Sequence, residues 1–189
     1  GDSLTAGYGL AAEDGFVPQM QAWLDAQGLD VELRNAGVSG DTTTGGLARV
    51  DWTLTPDVDA MIVALGGNDL LRGVDPTVSR ANIEAILQKA QSANVDVLIV
   101  GMTAPGNYGV DYKAAFDALY PDLAAAYGTL YFPTFFEGLG VEGDPNAARA
   151  FMQSDGIHPN PKGVSRIVQS MGPSVASLIE IAQSPPASN

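Results

Sequence analysis

The chain has 189 residues, 46% of them hydrophobic and none of them cysteine, and it carries 9 Lys and Arg against 22 Asp and Glu, a formal net charge of −13. That length and apolar content suit one domain with a proper core and exclude wholesale disorder. The lack of cysteine excludes a disulfide scaffold, cysteine catalysis, iron–sulfur clusters and thiolate zinc sites. The acidity repels phosphate backbones and anionic lipid, so no nucleic-acid partner is expected. No apolar run approaches the roughly 18 residues of a membrane span.

In chain order, Gly1-Asp2-Ser3-Leu4 stands first with no strand before it, and a helix is expected soon after. An apolar strand is therefore expected just upstream of Gly1, where it would deliver Ser3. Phe16, Val17, Met20, Trp23 and Leu24 fall on one helix face, with Pro18 in the first turn and Gly28 as the stop. Residues 31–36 read as a short strand. Residues 61–65, 95–100 and 129–132 are continuous apolar runs, the pattern of parallel strands covered on both faces. Between them, Pro76 opens a helix carrying Ile83, Ile86, Leu87 and Ala90. Residues 111–127 give a helical window interrupted at Pro121. Residues 162–182 give a strongly apolar helix with a kink or break expected at Pro173. Residues 1–183 form one domain in this reading, and residues 184–189 a disordered tail.

Alternating strands and helices imply an α/β domain with a parallel sheet. Ligands of such sheets bind outside the carboxyl ends of the strands, so the residues just after each apolar run carry the information. His158 is the one histidine. Taken alone it could be a structural accident. Asp155, three residues upstream, can reach its Nδ1, which would fix the tautomer and leave Nε2 free as a base. With no cysteine, serine is the default nucleophile. Ser3 sits in a glycine-led turn, where a helix-capping role is the plainer reading for it alone. Gly40, in Gly37–Thr43, and Asn68, in Gly66–Asp69, follow two of the strands and offer a backbone N–H and an amide donor. Each of those segments alone is an ordinary turn. Their coincidence at one sheet edge is what argues for a site.

Taken together, GDSL at 1–4, GVSGDTT at 37–43, GGND at 66–69 and DGIHPN at 155–160 resemble the four ordered blocks of the SGNH/GDSL hydrolases. Further similarity at 1–8, 46–49 and 107–109 lies closest to the branch with bacterial thioesterase I/lysophospholipase and arylesterases. The resemblance spans about residues 1–180. It implies a flavodoxin-like α/β/α sandwich around a five-stranded parallel sheet, with the first strand upstream of Gly1. It also implies Ser3 as nucleophile, Asp155 and His158 completing a triad, and Ser3 N–H, Gly40 and Asn68 as oxyanion donors. No metal or organic cofactor is expected. The implied partner is a small ester or lipid, and the implied location is the periplasm or outside the cell, as a monomer or small homo-oligomer.

Val74, Pro105, Tyr108 and Leu139 would line an apolar acyl site, which favours short-to-medium acyl or aryl esters, thioesters or lysophospholipids. The alternative is a carbohydrate O-acetylesterase, for which exposed Trp and hydrogen-bonding residues would be expected. A non-catalytic lipid-binding module on the same fold is disfavoured by retention of all five functional residues. Two other motifs carry less. Residues 138–143 match G-x-G-x-x-G but lack a following βαβ partner strand. Asp57 and Asp59 read as a solvated turn rather than a metal site.

Overall fold

The computed structural model describes residues 1–140 and 148–184. Its sheet holds β1 (Ala60–Val63), β2 (Asp96–Val100) and β3 (Leu130–Phe132), parallel and in that spatial order. Ile62 stands opposite Leu98, and Leu98 opposite Leu130. The helices are α1 (Ser3–Ala6), α2 (Phe16–Ala26), α3 (Thr43–Thr53), α4 (Gly67–Arg72), α5 (Pro76–Ser92), α6 (Val110–Tyr127) and α7 (Pro161–Ala182). α2 packs on α7, which touches all three strands, while α5 packs between α3 and α6 and against β2. The central strand is therefore covered on both faces, and Val97, Leu98, Ile99 and Val100 are all buried. The core is completed by Ile83 and Leu87 of α5, Phe116 and Leu119 of α6, and Ile167, Met171 and Val175 of α7. Among the described residues no helix is long and apolar enough to cross a membrane.

The described sheet has three strands, not the five expected. Residues 31–36 form no ladder among the described residues. The Gln21 side chain donates to the Val31 carbonyl at 2.9 Å and accepts from the Leu33 N–H at 2.8 Å. Neither proline breaks its helix. Pro121 and Pro173 lie inside continuous helices. A proline within a helix costs about 3 kcal/mol, and around Pro173 the buried Met171, Val175 and Leu178 hold both flanks in place. Gly172 lets the Trp23 ring lie directly on α7, since a Cβ there would stand 2.7 Å from it.

α3 went unforeseen because Gly45 and Gly46 are weak helix formers. Thr42 caps it by accepting from Gly45 N–H, and Gly46 admits Leu65, whose side chain a Cβ would overlap. The 138–143 glycine motif lies partly outside the described residues, as does the tail from residue 185 onward. Asp57, at a turn, pairs with Arg34 at 2.6 Å.

Candidate active site

Four chain segments meet at the carboxyl edge of the sheet. The first begins α1. Asp2 caps this short helix, its Oδ1 accepting the Leu4 N–H at 3.0 Å, and Ser3 is the first helical residue. Position 37 holds α1 close: a Cβ there would come 2.5 Å from Ala6 N and 2.9 Å from Asp2 O, so only glycine fits. Arg49 fastens the same junction, donating to the carbonyls of Gly1 at 2.8 Å and Ala36 at 2.7 Å. Val38 N–H adds a third bond, to the Gly1 carbonyl at 3.0 Å.

The second and third segments bring Gly40 and Asn68. Gly40 has φ +85°, a left-handed conformation that suits glycine, and its carbonyl accepts from Arg72 at 2.8 Å. Asn68 enters from α4, directly after β1, and its Nδ2 faces Asp2 Oδ2 at 3.4 Å. Burial raises the Asp2 carboxyl above the usual carboxylate range, against the lowering effect of the Leu4 N–H.

The fourth segment carries the histidine. Asp155 Oδ1 accepts the N–H groups of Ile157 and His158 at 2.9 and 3.0 Å, which curls the loop into a turn. Asp155 Oδ2 then lies 2.7 Å from His158 Nδ1, and His158 Nε2 lies 2.8 Å from Ser3 Oγ. The hydrogen bond from His158, with the two N–H groups, holds the Asp155 carboxyl down at about 2. With Asp155 ionised, the neutral ring carries its proton on Nδ1 and presents the Nε2 lone pair to the Ser3 hydroxyl. A hydroxyl so paired loses its proton as it attacks a carbonyl.

The loop is braced on both sides. Met152 and Pro159 form an antiparallel bridge, and Gln153 N–H donates to the His158 carbonyl at 2.7 Å. The Gln153 side chain ties Tyr8 O at 2.8 Å to Pro159 O at 3.0 Å, and the Tyr8 ring rests against the imidazole, centroids 4.7 Å apart.

A family model for the GDSL-like lipase/acylhydrolase family matches residues 1–166. The chain belongs to this family. It is a serine hydrolase of ester bonds. Esterase TesA of Pseudomonas aeruginosa is 38% identical over 180 residues, 95% of this chain and 87% of that protein. Thioesterase 1/protease 1/lysophospholipase L1 of Escherichia coli (strain K12) is 37% identical over 161 residues, 85% of this chain and 73% of that protein. The solved structure of the psychrotrophic esterase EstA from Pseudoalteromonas sp., inhibited by monoethylphosphonate, matches with a TM-score of 0.85 at 31% identity. That match covers 95% of this chain and 96% of the other.

In this acylhydrolase an open cleft runs past Ser3, Gly40, Asn68 and His158. Pro105, Tyr108 and Leu139 line it; Tyr108 is 42% exposed, whereas Leu139 is a buried part of the wall. Val74 does not reach the cleft. Its carbonyl accepts from Tyr112 OH at 2.9 Å, behind the lining. Leu70, Leu71, Met102, Phe136 and Ile157 add apolar surface. Sequence reasoning missed Asp2, Tyr8, Gln153, Phe136 and Ile157 as cleft residues. For Asp2 a signal was present, since an Asp directly before a helix start is a capping residue. Tyr8 and Gln153 carry no such mark, because their importance lies in a contact 145 residues apart. Among the described residues no cluster of three His, Asp or Glu stands close enough to hold a metal.

Proposed function

We propose that Ser3, His158 and Asp155 are the catalytic residues, and that the substrates are short-to-medium acyl or aryl esters, with thioesters and lysophospholipids in the same range. The observation that carries this reading is the relay of 2.7 and 2.8 Å from Asp155 through His158 to Ser3. Ser3 Oγ attacks the ester carbonyl while His158 Nε2 takes its proton. The tetrahedral oxyanion forms against Ser3 N–H, Gly40 N–H and Asn68 Nδ2. The Ser3 N–H, at the start of α1, has no partner within the helix and is free to donate. As the intermediate collapses, the imidazolium protonates the leaving alkoxide, thiolate or phenolate. Water then attacks the acyl-enzyme with His158 again as base, and Asp155 supports the positive ring in both steps.

The acyl chain lies along Pro105, Tyr108, Leu71 and Leu139, and each buried methylene is worth about 0.8 kcal/mol. The apolar lining, with both tryptophans elsewhere, favours lipid-like acyl groups over sugar acetates. The deciding experiment measures kcat/KM for p-nitrophenyl esters from acetyl upward, alongside acetylated xylan, with Ser3→Ala as the blank. A rise over two or three added carbons supports the acyl site. A steep fall from acetyl to butyryl, with efficient polysaccharide deacetylation, would favour a carbohydrate O-acetylesterase instead. Labelling by a monoethyl phosphonate ester, located by peptide mass, should fall on Ser3; labelling elsewhere removes it as nucleophile.

The same reading takes residues 1–183 as one domain, acting as a monomer or small homo-oligomer after export to the periplasm or medium. It also keeps the five-stranded flavodoxin-like sheet, with 31–36 as one of its strands.

A further inference from the structure

Behind the oxyanion side of the cleft lies a buried polar cluster that the steps above do not use. Asp69, Thr43 and Ser79 are all fully buried. Asp69 Oδ1 accepts from the hydroxyls of Thr43 at 2.6 Å and Ser79 at 2.9 Å, and Oδ2 accepts the Thr43 N–H at 2.8 Å. Asn82 Nδ2 donates to the Thr43 hydroxyl at 3.0 Å and to that of Thr44 at 2.9 Å. Three elements meet here: Asp69 comes from α4, Thr43 opens α3, and Ser79 and Asn82 lie on α5. Burying a carboxyl is costly unless its oxygens are matched by donors, and here three converge on it.

The placement of this cluster matters more than its bonding. Asp69 adjoins Asn68, and Thr43 stands three residues after Gly40. Arg72, one turn beyond Asn68 on α4, donates to the Gly40 carbonyl at 2.8 Å. The short helix that presents Asn68 thus grips the Gly40–Thr43 loop at both ends, Arg72 at Gly40 and Asp69 at Thr43. Asp69 itself is absent from the cleft lining, so it does not touch substrate. Stability alone does not call for a buried polar network at this joint, because well-packed apolar replacements are often neutral or stabilising. What the network adds is a fixed direction and distance between two segments that each carry an oxyanion donor.

We propose that Asp69 is a positioning residue for ester hydrolysis, holding the Gly40 N–H and the Asn68 amide at the spacing the tetrahedral intermediate requires. This rests on the reading of Gly40 and Asn68 as oxyanion donors. Asp69→Asn keeps the shape but sets an NH₂ either against the Thr43 N–H, losing that bond, or against the two hydroxyls, which must then turn from donors to acceptors, so the convergence of three donors on one carboxyl is gone. Misplacing catalytic groups by about 1 Å costs on the order of 10²-fold.

The test is a double-mutant cycle on p-nitrophenyl butyrate hydrolysis, using Asp69→Asn, Asn68→Ala and the pair, with Tm recorded for each. Asp69→Asn should lower kcat about 10–100-fold with KM within about twofold, and should cost under about threefold once Asn68 is already Ala. Thr43→Val removes the hydroxyl but keeps the backbone bond; it should lower kcat in the same direction and carries the test if Asp69→Asn does not fold. An unchanged kcat in either folded variant, beside an impaired Asn68→Ala, overturns this proposal alone. So does a loss carried by KM, or one equal in both backgrounds. An unchanged kcat in Asn68→Ala overturns the oxyanion reading, and this proposal with it.

Discussion

Gly37→Ala is the substitution whose effect on the site can be worked most directly from the contacts. The added Cβ would stand 2.5 Å from Ala6 N and 2.9 Å from both Asp2 O and Thr5 C, all backbone atoms of α1 or its cap. No side chain can swing aside to make room. Gly37 has no positive φ, so alanine brings a steric effect without a conformational one. Restoring ordinary contact, from 2.5 Å to about 3.4 Å, requires α1 to retreat by about 0.9 Å. Arg49 and Val38 hold the Gly1 carbonyl in place, so the shift falls on α1 beyond it and carries Ser3 away from His158. A displacement near 1 Å should lower kcat by about 10²-fold, and overpacking of this kind should cost about 1–3 kcal/mol of stability. Steady-state kinetics on p-nitrophenyl butyrate and a thermal melt measure the two effects separately. A folded Gly37→Ala enzyme with kcat within about threefold of the parent would refute the argument that this glycine sets the position of the nucleophile.

His158→Ala should lower kcat by about 10⁴-fold or more with the fold retained, and a variant that keeps near-parental esterase activity would remove His158 as the base. The Asp155 carboxyl, held at about 2 in the folded chain, stabilises the fold above its unfolded value of about 3.9 and loses that contribution as pH falls through about 2. The Tm gap between the parent and Asp155→Asn should therefore be widest above about pH 4 and shrink below it; a gap constant down to about pH 3 contradicts this. On the proposed acyl path along the exposed Tyr108 ring of the cleft, Tyr108→Ala should lower kcat/KM for hexanoyl esters about 5–10-fold relative to acetyl esters; equal loss for both chain lengths would place the acyl group elsewhere. The net charge of −13 should disfavour acyl-CoA relative to neutral esters at low ionic strength, and added salt should narrow that gap.

The sheet was legible where the chain is buried on both faces. The run at 95–100 reads as a parallel strand covered on both faces, and β2 occupies 96–100 in the middle of the described sheet. The run at 31–36 is half polar, and among the described residues it joins no ladder; its bonds at Val31 and Leu33 go to the Gln21 side chain. Prolines misled for a related reason. Pro121 and Pro173 each remove a helix bond, but the loss is local, while burial of the surrounding apolar face is spread over the whole helix. Gly45 and Gly46 hid α3 because their helical value lies in what they leave room for, Asp41 and Leu65, and neither contact is visible in the local pattern.

The site divides along the same line. Ser3, Gly40, Asn68, Asp155 and His158 are recognisable by type, because each chemical role admits few residues and each falls where the sheet edge gathers its loops. The distances between them are set by other residues. His158 reaches Ser3 across 155 positions because Gln153 ties its loop to Tyr8. Ser3 stands where it does because position 37 has no side chain and Arg49 bridges two carbonyls. Asn68 faces the Gly40 loop through Asp69 and Arg72. Gly37, Asp69, Arg49 and Tyr8 lie inside the segments that resemble the family, but that pattern does not show what each touches, since each acts through a contact formed only after the chain has folded. Substitutions at them should leave the catalytic groups chemically intact and slow the reaction through geometry alone. Such variants should keep their phosphonate labelling at Ser3 but acquire it more slowly, whereas Ser3→Ala should not be labelled at all.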